Sequence, residues 1–317
     1  MKWWMPLVLA LLAPILALAQ AWPSRPVKLV VPYPPGGPTD IVARVIAERM
    51  QAQTGLPFIV DNRPGAGGNL GAELVAKAPA DGYTLLVATT AHAINKSLFK
   101  NLNYDVLKDF SAVSLLTQGP LVLVVHPDFT VKNVAELIAL AKGKPKSVSF
   151  ASSGNGQSTH LAAELFASMA GAPMTHVPYK GSAPALNDLI AGHVPLMFDT
   201  MLSAMPHVKG GKLRALAVTG AQRSPVAPEL PTIAESLPGY QAYAWNGLLV
   251  PVATPAAVVA RLSEELKAVL AQPAVQEKFA AQGFAASWTS PAEASSFVKA
   301  EVDKWAHTVQ VSGARVD

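Results

Sequence analysis

The 317-residue chain contains no cysteine. That absence excludes a disulfide framework, a thiolate nucleophile, iron–sulfur ligation and cysteine-based zinc sites, and leaves no residue for a lipid tether. Charge is also sparse: Lys, Arg, Asp and Glu make up 15% of the residues, with 25 basic against 21 acidic groups and a net +4. The charges are scattered singly, so no basic patch exists to neutralise several phosphates, and nucleic acid is not an expected partner. Beyond the N-terminus no apolar run reaches the length of about 18 residues read as a membrane helix, so a soluble mature protein is expected. Enzyme signatures are missing too. There is no Gly-x-Ser-x-Gly elbow, no phosphate-loop Gly-Lys-Ser/Thr and no His-Glu-x-x-His. Gly65-Ala66-Gly67-Gly68-Asn69-Leu70-Gly71 approaches a dinucleotide fingerprint, but Leu70 stands where its third glycine belongs. No catalysis, cofactor or metal is expected.

What the chain does have begins at its first residues. Met1-Lys2 precedes an apolar run from about Leu7 to Ala19 and two small-residue exits, Ala17-Leu18-Ala19 and Ala19-Gln20-Ala21. A cationic start, a short apolar core and an Ala-x-Ala exit describe a secretory signal peptide over 1–21. An uncleaved membrane anchor is the competing reading; Pro14 and the Ala-rich exit fit it less well. An exported chain without a tether stays with its cell only if an outer barrier retains it, which points to the periplasm.

The remaining chain is long enough for two domains, and 50% of the sequence is hydrophobic. Val27–Val31, Pro57–Val60, Thr84–Ala88, Val148–Phe150 and Leu213–Val218 read as strands apolar on both faces, as a sheet covered by helices on both sides requires. Between them lie helical patterns. Ile41, Val42, Val45, Ile46 and Met50 recur at helical spacing before Gly55, and Leu161, Leu165 and Met169 do so before Gly171. Ser290-Pro291-Ala292-Glu293 is a capping box opening a helix with a stripe of Ala294, Val298, Val302, Trp305 and Val309. This alternation predicts a doubly wound α/β protein. No solenoid repeat occurs. There is no flexible Gly/Ser linker, so the extended runs Leu121–Val125 and Trp245–Val250 are the candidates to carry the chain between lobes.

In open α/β sheets ligands collect where strand C-termini lead into helix N-termini. Pro32-Tyr33-Pro34-Pro35-Gly36-Gly37-Pro38-Thr39-Asp40 is one such loop, and Ala151-Ser152-Ser153-Gly154-Asn155-Gly156-Gln157-Ser158-Thr159-His160 is another. Glycine allows close backbone approach, and a helix start offers unpaired N–H donors and a dipole suited to an anion. Either loop alone reads equally well as a tight turn capped by Thr39 or Asp40, or by Ser158 or Thr159. Two in one exported chain favour a carboxylate site. Pro178-Tyr179-Lys180-Gly181-Ser182 before a further helix, and Met197-Phe198-Asp199-Thr200 at a strand end, are candidate side walls. There Asp199 either meets a ligand amine or hydroxyl or caps the next helix. His92 and His160 read as packed or capping residues. Apart from Lys180 the loops hold no Lys or Arg, so recognition would rest on neutral dipoles.

Val31-Pro32-Tyr33-Pro34-Pro35-Gly36-Gly37-Pro38-Thr39-Asp40, Asp61-Asn62-Arg63-Pro64-Gly65-Ala66-Gly67-Gly68, Pro79-Ala80-Asp81-Gly82-Tyr83-Thr84-Leu85 and His176-Val177-Pro178-Tyr179-Lys180-Gly181-Ser182-Ala183-Pro184-Ala185, with Met197-Phe198-Asp199 and Pro251-Val252-Ala253-Thr254-Pro255, resemble the Bug family. These are the extracytoplasmic solute receptors of tripartite tricarboxylate transporters. The resemblance covers nearly the whole mature chain. It implies a two-lobed periplasmic-binding-protein-like fold of type II, each lobe a mostly parallel sheet flanked by helices, that closes on its ligand without catalysis. Together with the extended runs it suggests lobes of 22–122 plus 247–317 and of 123–246, hinged near Val122 and Gly247. It implies a small carboxylate ligand (a di- or tricarboxylate, an acidic amino acid or an aromatic acid). Tyr33, Gly36, Gly37, Thr39 and Asp40 would contact it from one lobe. Ser152, Gly156, Ser158 and Thr159 would do so from the other, with Tyr179 and Asp199 at the side. Gln157 stands where many relatives carry Ser or Thr. The expected partners are transporter membrane subunits, with a signalling protein fed by an orphan sensor as the alternative; a secreted hydrolase is the third class. A monomer is the usual expectation.

Overall fold

The computed structural model describes residues 22–314 and Val316; the export segment and both of its cleavage sites lie outside the described residues. Along the chain β1 (Val27–Val31) leads into α1 (Pro38–Thr54), β2 (Phe58–Asn62) into α2 (Asn69–Ala76), and β3 (Thr84–Thr89) into α3 (Thr90–Leu98). The 16-residue β4 (Phe110–Val125) crosses to a second group. That group holds α4 (Val134–Gly143), β5 (Ser149–Ser152), α5 (Ser158–Ala170), β6 (Thr175–Pro178), α6 (Ser182–Ile190), β7 (Leu196–Thr200), α7 (Met201–Lys209) and β8 (Arg214–Val218). The chain returns through β9 (Tyr243–Pro251) to α8 (Ala256–Leu270), α9 (Pro273–Ala280), β10 (Ala285–Ala286) and α10 (Pro291–Ser312).

The strands run in the order β2-β1-β3-β9-β4-β7-β5-β6, with β8 and β10 also on β4. The outer pairs β1–β2, β1–β3, β5–β6 and β5–β7 are parallel, and β4 and β9 are antiparallel to their neighbours. The result is a two-lobed α/β fold on a mixed sheet. β4 changes partner along its length: Pro120 pairs with Tyr243 of β9, whereas Leu121 pairs with Thr200 of β7. Gly247 lies inside β9, opposite Leu115 of β4 and Ala88 of β3.

Local chemistry explains the elements. Pro38 starts α1 because its missing N–H has no intrahelical acceptor at that position anyway. Gly55 ends α1 in the left-handed region, φ 73°, where a Cβ is unfavourable. In α10 the Ser290–Glu293 capping box forms, and Ala294, Val298, Val302, Trp305 and Val309 are all buried. That helix packs on α3, α5 and β4, so one apolar stripe braces both groups of strands. The indoles of Trp245 and Trp305 donate to the same Glu301 Oε2, at 3.0 and 2.9 Å. The near-fingerprint at Gly65–Gly71 is a single 3₁₀ turn, Ala66–Gly68, running into α2. Its Gly71 is explained by packing: a Cβ there would stand 2.9 Å from Pro32 Cβ. The fingerprint-like spacing therefore serves to seat α2 against the first loop.

Candidate functional site

The loop after β1 is built around Asp40. Its Oδ2 accepts from the Gly36 N–H at 2.9 Å and from Arg44 Nε at 2.8 Å, and its Oδ1 accepts from Asn62 Nδ2 at 2.9 Å and from Arg44 Nη2 at 3.1 Å. Burial pushes this carboxyl up, but the hydrogen bonds from Arg44, Gly36 and Asn62 outweigh it and hold Asp40 below the usual carboxylate range. Both oxygens of Asp40 and the Gly36 amide are thus occupied in shaping the loop. The expected caps are displaced. Gly37 is the N-cap of α1, with extended backbone and no side-chain cap, because Pro38 takes the first helical position. Thr39 and Asp40 follow it as the second and third residues. Their backbone N–H groups belong to the helix start, which has no intrahelical acceptors for them.

The loop after β5 repeats the design. Gln157 is the N-cap of α5, again without a side-chain cap, in place of the expected Ser158 or Thr159. Ser158 is half-buried at the first helical position. Thr159 is buried, and its Oγ1 accepts the Ser153 N–H at 2.9 Å. Gly156, φ 75°, donates its N–H to His160 Nδ1 at 3.3 Å. Ser152 Oγ lies 2.6 Å from His176 Nε2 and accepts the Gly154 N–H at 3.1 Å. His160 and His176 stack 3.8 Å apart. Burial, reinforced by the neighbouring His160, lowers His176 to about 3. A serine beside an imidazole suggests a hydrolytic pair, but Ser152 is 0% exposed and its hydroxyl is engaged by the Gly154 carbonyl and N–H, which holds its own loop.

The structure brings the two loops together. Tyr33 Oη lies 2.9 Å from Thr89 Oγ1, and the Cβ position of Gly68 lies 3.1 Å from the same hydroxyl. Burial raises the Tyr33 pKa, opposed by the Thr89 and Gln157 side chains. The Gly156 backbone lies against α3: a Cβ there would come 2.6 Å from Asn95 Oδ1 and 2.9 Å from Leu98 Cδ2. The Asn155 carbonyl stands 3.8 Å from the Cβ position of Gly67. The contacts of Gly156 fall on the last turn of α3, whereas the start of that helix, at its N-cap Thr89, meets the Tyr33 hydroxyl. Thr89 and His92 cap it reciprocally, and His92 Nδ1 accepts the Thr89 N–H at 2.9 Å. Burial lowers His92 to about 4, which keeps the ring neutral. Thr89 and Asn95 had no recognisable signal: a capping box is ordinarily sought as Ser/Thr with Glu/Gln, and here the third position is histidine.

Tyr179 and Asp199 form the flank. Tyr179 donates from its hydroxyl to Asp188 Oδ2 at 2.7 Å, and burial together with that carboxylate pushes the phenol up to about 12. Asp199 closes β7 with 0% exposure. Its Oδ1 accepts from Ser182 Oγ at 2.7 Å, and its Oδ2 has no side-chain hydrogen-bond partner. Burial raises Asp199 to about 7, against the opposing pull of Ser182 and the Thr200 N–H. Thr200, not Asp199, caps α7. Lys180 is exposed.

Surface hollows of about 290 Å³ near Arg25, Lys28 and Tyr83 and about 430 Å³ near Lys96, Tyr104 and Asp105 contain no residue of these loops. Among the described residues no cluster of three His, Cys, Asp or Glu is placed to hold a metal, and no helix is long and apolar enough to cross a membrane.

Over residues 42–313 the chain matches the family described as "Tripartite tricarboxylate transporter family receptor". It superposes on Rpa4515 of R. palustris, solved with adipate, with TM-score 0.85 and 39% identity, covering 92% of this chain and 98% of that one. The periplasmic binding protein BugD gives TM-score 0.82 and 36% identity, with 93% and 99% covered. MatC (Rpa3494) from Rhodopseudomonas palustris, with bound malate, gives 0.81 and 34%, with 91% and 100% covered.

Proposed function

Because the chain belongs to the tripartite tricarboxylate transporter receptor family, we propose that it captures a small organic carboxylate between its two lobes and delivers it to transporter membrane subunits. The observation that carries this reading is the approach of the loop that opens α5 to the group of strands that carries α1: Gly156 lies against α3, the Asn155 carbonyl stands by Gly67, and the adjacent Gly68 lies by the Tyr33 hydroxyl of the α1 loop. Each helix start contributes about 0.3–1 kcal/mol to an anion, and up to about 2 when partly buried. Micromolar binding corresponds to about −8 kcal/mol, within reach of several amide contacts plus lobe closure. The similarity to proteins solved with adipate and malate supports a dicarboxylate. The kinship to periplasmic binding proteins supports export to the periplasm by way of 1–21.

The contacting groups in this reading are backbone donors of Gly37, Thr39, Asp40, Ser158 and Thr159, with the Tyr33 hydroxyl and with Tyr179 and Asp199 on the flank. Gly36, Ser152 and Gly156 shape the loops that present them. We place the lobe crossings where β4 changes partner, near 120–121, and where β9 begins, near 242–243. Both are within a few residues of the junctions at 122 and 247 suggested by the sequence. A thermal-shift screen of the mature protein against small carboxylic acids tests the function. At a hundred times its dissociation constant a true ligand stabilises by about 2.7 kcal/mol. If no acid in a panel including adipate and malate moves the transition, carboxylate capture is wrong.

A further inference from the structure

We propose that Asn155-Gly156 is a site of spontaneous modification: with His160 as base, the Asn155 side-chain amide is lost through a cyclic imide, which leaves a new carboxylate in the loop that opens α5. The chemistry is independent of the carboxylate reading above; only its effect on capture rests on that reading. The chain holds two Asn-Gly pairs, Asn155-Gly156 and Asn246-Gly247. Such pairs are prone to this reaction, because the attacking nitrogen belongs to a residue whose missing Cβ leaves the backbone free to fold back onto the asparagine Cγ. The structure separates the two. Asn246 is buried inside β9, its Nδ2 donates to Thr117 Oγ1 at 2.8 Å, and Gly247 is paired with Ala88 of β3 and Leu115 of β4. Neither side chain nor backbone is free to turn there. Asn155 is exposed in the turn between β5 and α5, and Gly156 follows it at φ 75°.

At Asn155 a base also stands on the reacting nitrogen. The Gly156 N–H donates to His160 Nδ1 at 3.3 Å, so Nδ1 is unprotonated and the neutral ring carries its proton on Nε2. Nε2 lies 3.6 Å from Glu164 Oε1, a carboxylate placed to stabilise the imidazolium formed when Nδ1 takes a second proton. The ring is 3% exposed and stacks on His176 at 3.8 Å and 11°, which fixes its orientation. As the Gly156 nitrogen bonds to Asn155 Cγ, its proton passes to His160 Nδ1. The Cγ–Nδ2 bond then breaks, and the side-chain nitrogen takes that proton and leaves as ammonia. Water opens the imide at either carbonyl, restoring the Gly156 N–H and giving aspartate or isoaspartate. Both products add a negative charge next to the helix start that would hold an anion, and isoaspartate also lengthens the backbone beside Gly156.

The experiment follows conversion at 155 and 246 by peptide mass spectrometry during incubation of the folded mature protein at a series of pH values, with urea-unfolded protein and His160→Gln alongside. In the folded wild type Asn155 is expected to convert while Asn246 persists; in urea the two should convert at similar rates. His160→Gln should slow conversion at 155 about tenfold or more, a conservative share of the roughly 10²–10⁴ that a positioned base contributes. The wild-type rate should level off once the imidazole is neutral, whereas the rate in His160→Gln keeps climbing with hydroxide. An unfolding transition identifies a misfolded variant, and the wild-type pH profile then decides alone. If Asn155 converts no faster than Asn246 in the fold, the site is overturned; if the wild-type rate climbs without levelling, the role of His160 is overturned. Affinities of Asn155→Asp for adipate and malate test the consequence, with a loss of about tenfold expected. If wild type binds these acids and Asn155→Asp binds them equally, the effect on capture is overturned. If wild type binds no acid, the carboxylate reading falls while the modification stands on the mass data.

Discussion

Asp199→Asn should gain stability over wild type as pH rises, by about 2–3 kcal/mol between pH 5 and pH 8. Asp199 is fully buried, has no cation beside it, and titrates near 7 against an ordinary 3.8. Between those values the folded chain keeps a proton that the unfolded chain has released. The contribution of Asp199 to stability is therefore greatest below about pH 4, falls as pH climbs, and levels off above about 7. Asparagine resembles the protonated acid in shape but cannot ionise, so it removes this loss. The buried His92 and His176 work in the opposite sense. With pKa values lowered from 6.5 to about 4 and about 3, they cost stability as pH falls below about 6.5. Because both histidines remain in wild type and variant, their effect cancels in the difference. Chemical denaturation of the two proteins at pH 5, 6.5 and 8 checks the result; a difference independent of pH would show that Asp199 is ionised in the fold. The consequence for function is direct. A neutral Asp199 places no negative charge beside a site meant for an anion.

The second large effect is expected at Gly156. Its φ of 75° costs an L-residue about 1–2 kcal/mol in any state of the lobes, so Gly156→Ala should lower the unfolding transition. The clash is separate. A methyl 2.6 Å from Asn95 Oδ1 and 2.9 Å from Leu98 Cδ2 is met only while the two loops touch. If ligand capture requires that contact, affinity should drop by a further 1–3 kcal/mol or so, roughly 5–150-fold. Asn95→Ala in the same background removes the nearer obstacle and should recover part of the affinity without recovering the φ strain. Titration calorimetry on the single and double variants measures the coupling. Equal affinities in wild type and Gly156→Ala would mean that binding does not need this contact.

Much of this molecule is legible in its sequence where one local rule acts alone. The α10 stripe from Ala294 to Val309 is buried as its spacing demands, because a single apolar face facing a sheet leaves no competing arrangement. Gly55 and Gly171 end their helices in the left-handed region, as residues without a Cβ do. Legibility fails where two rules compete. Thr39 and Ser158 look like caps, but a proline in the first position moves the cap of α1 to Gly37, and glutamine, an uncommon N-cap, takes α5. The antiparallel β9 inside a set of parallel strands could not be seen either, since Trp245–Val250 is apolar on both faces in any orientation. At the candidate site the two principal loops were recognisable from Gly and Pro content. The contact of Gly156 with Asn95 was not, because residues 61 positions apart meet only through the crossing at β4.

The measurement that bears most directly on the account is a crystal structure of the mature protein with the acid that stabilises it most. The account predicts one carboxylate held by N–H groups from the starts of both α1 and α5, near Tyr33 and Thr89. An acid bound to only one of those helix starts, or lodged in the hollow beside Arg25 and Tyr83, would contradict it.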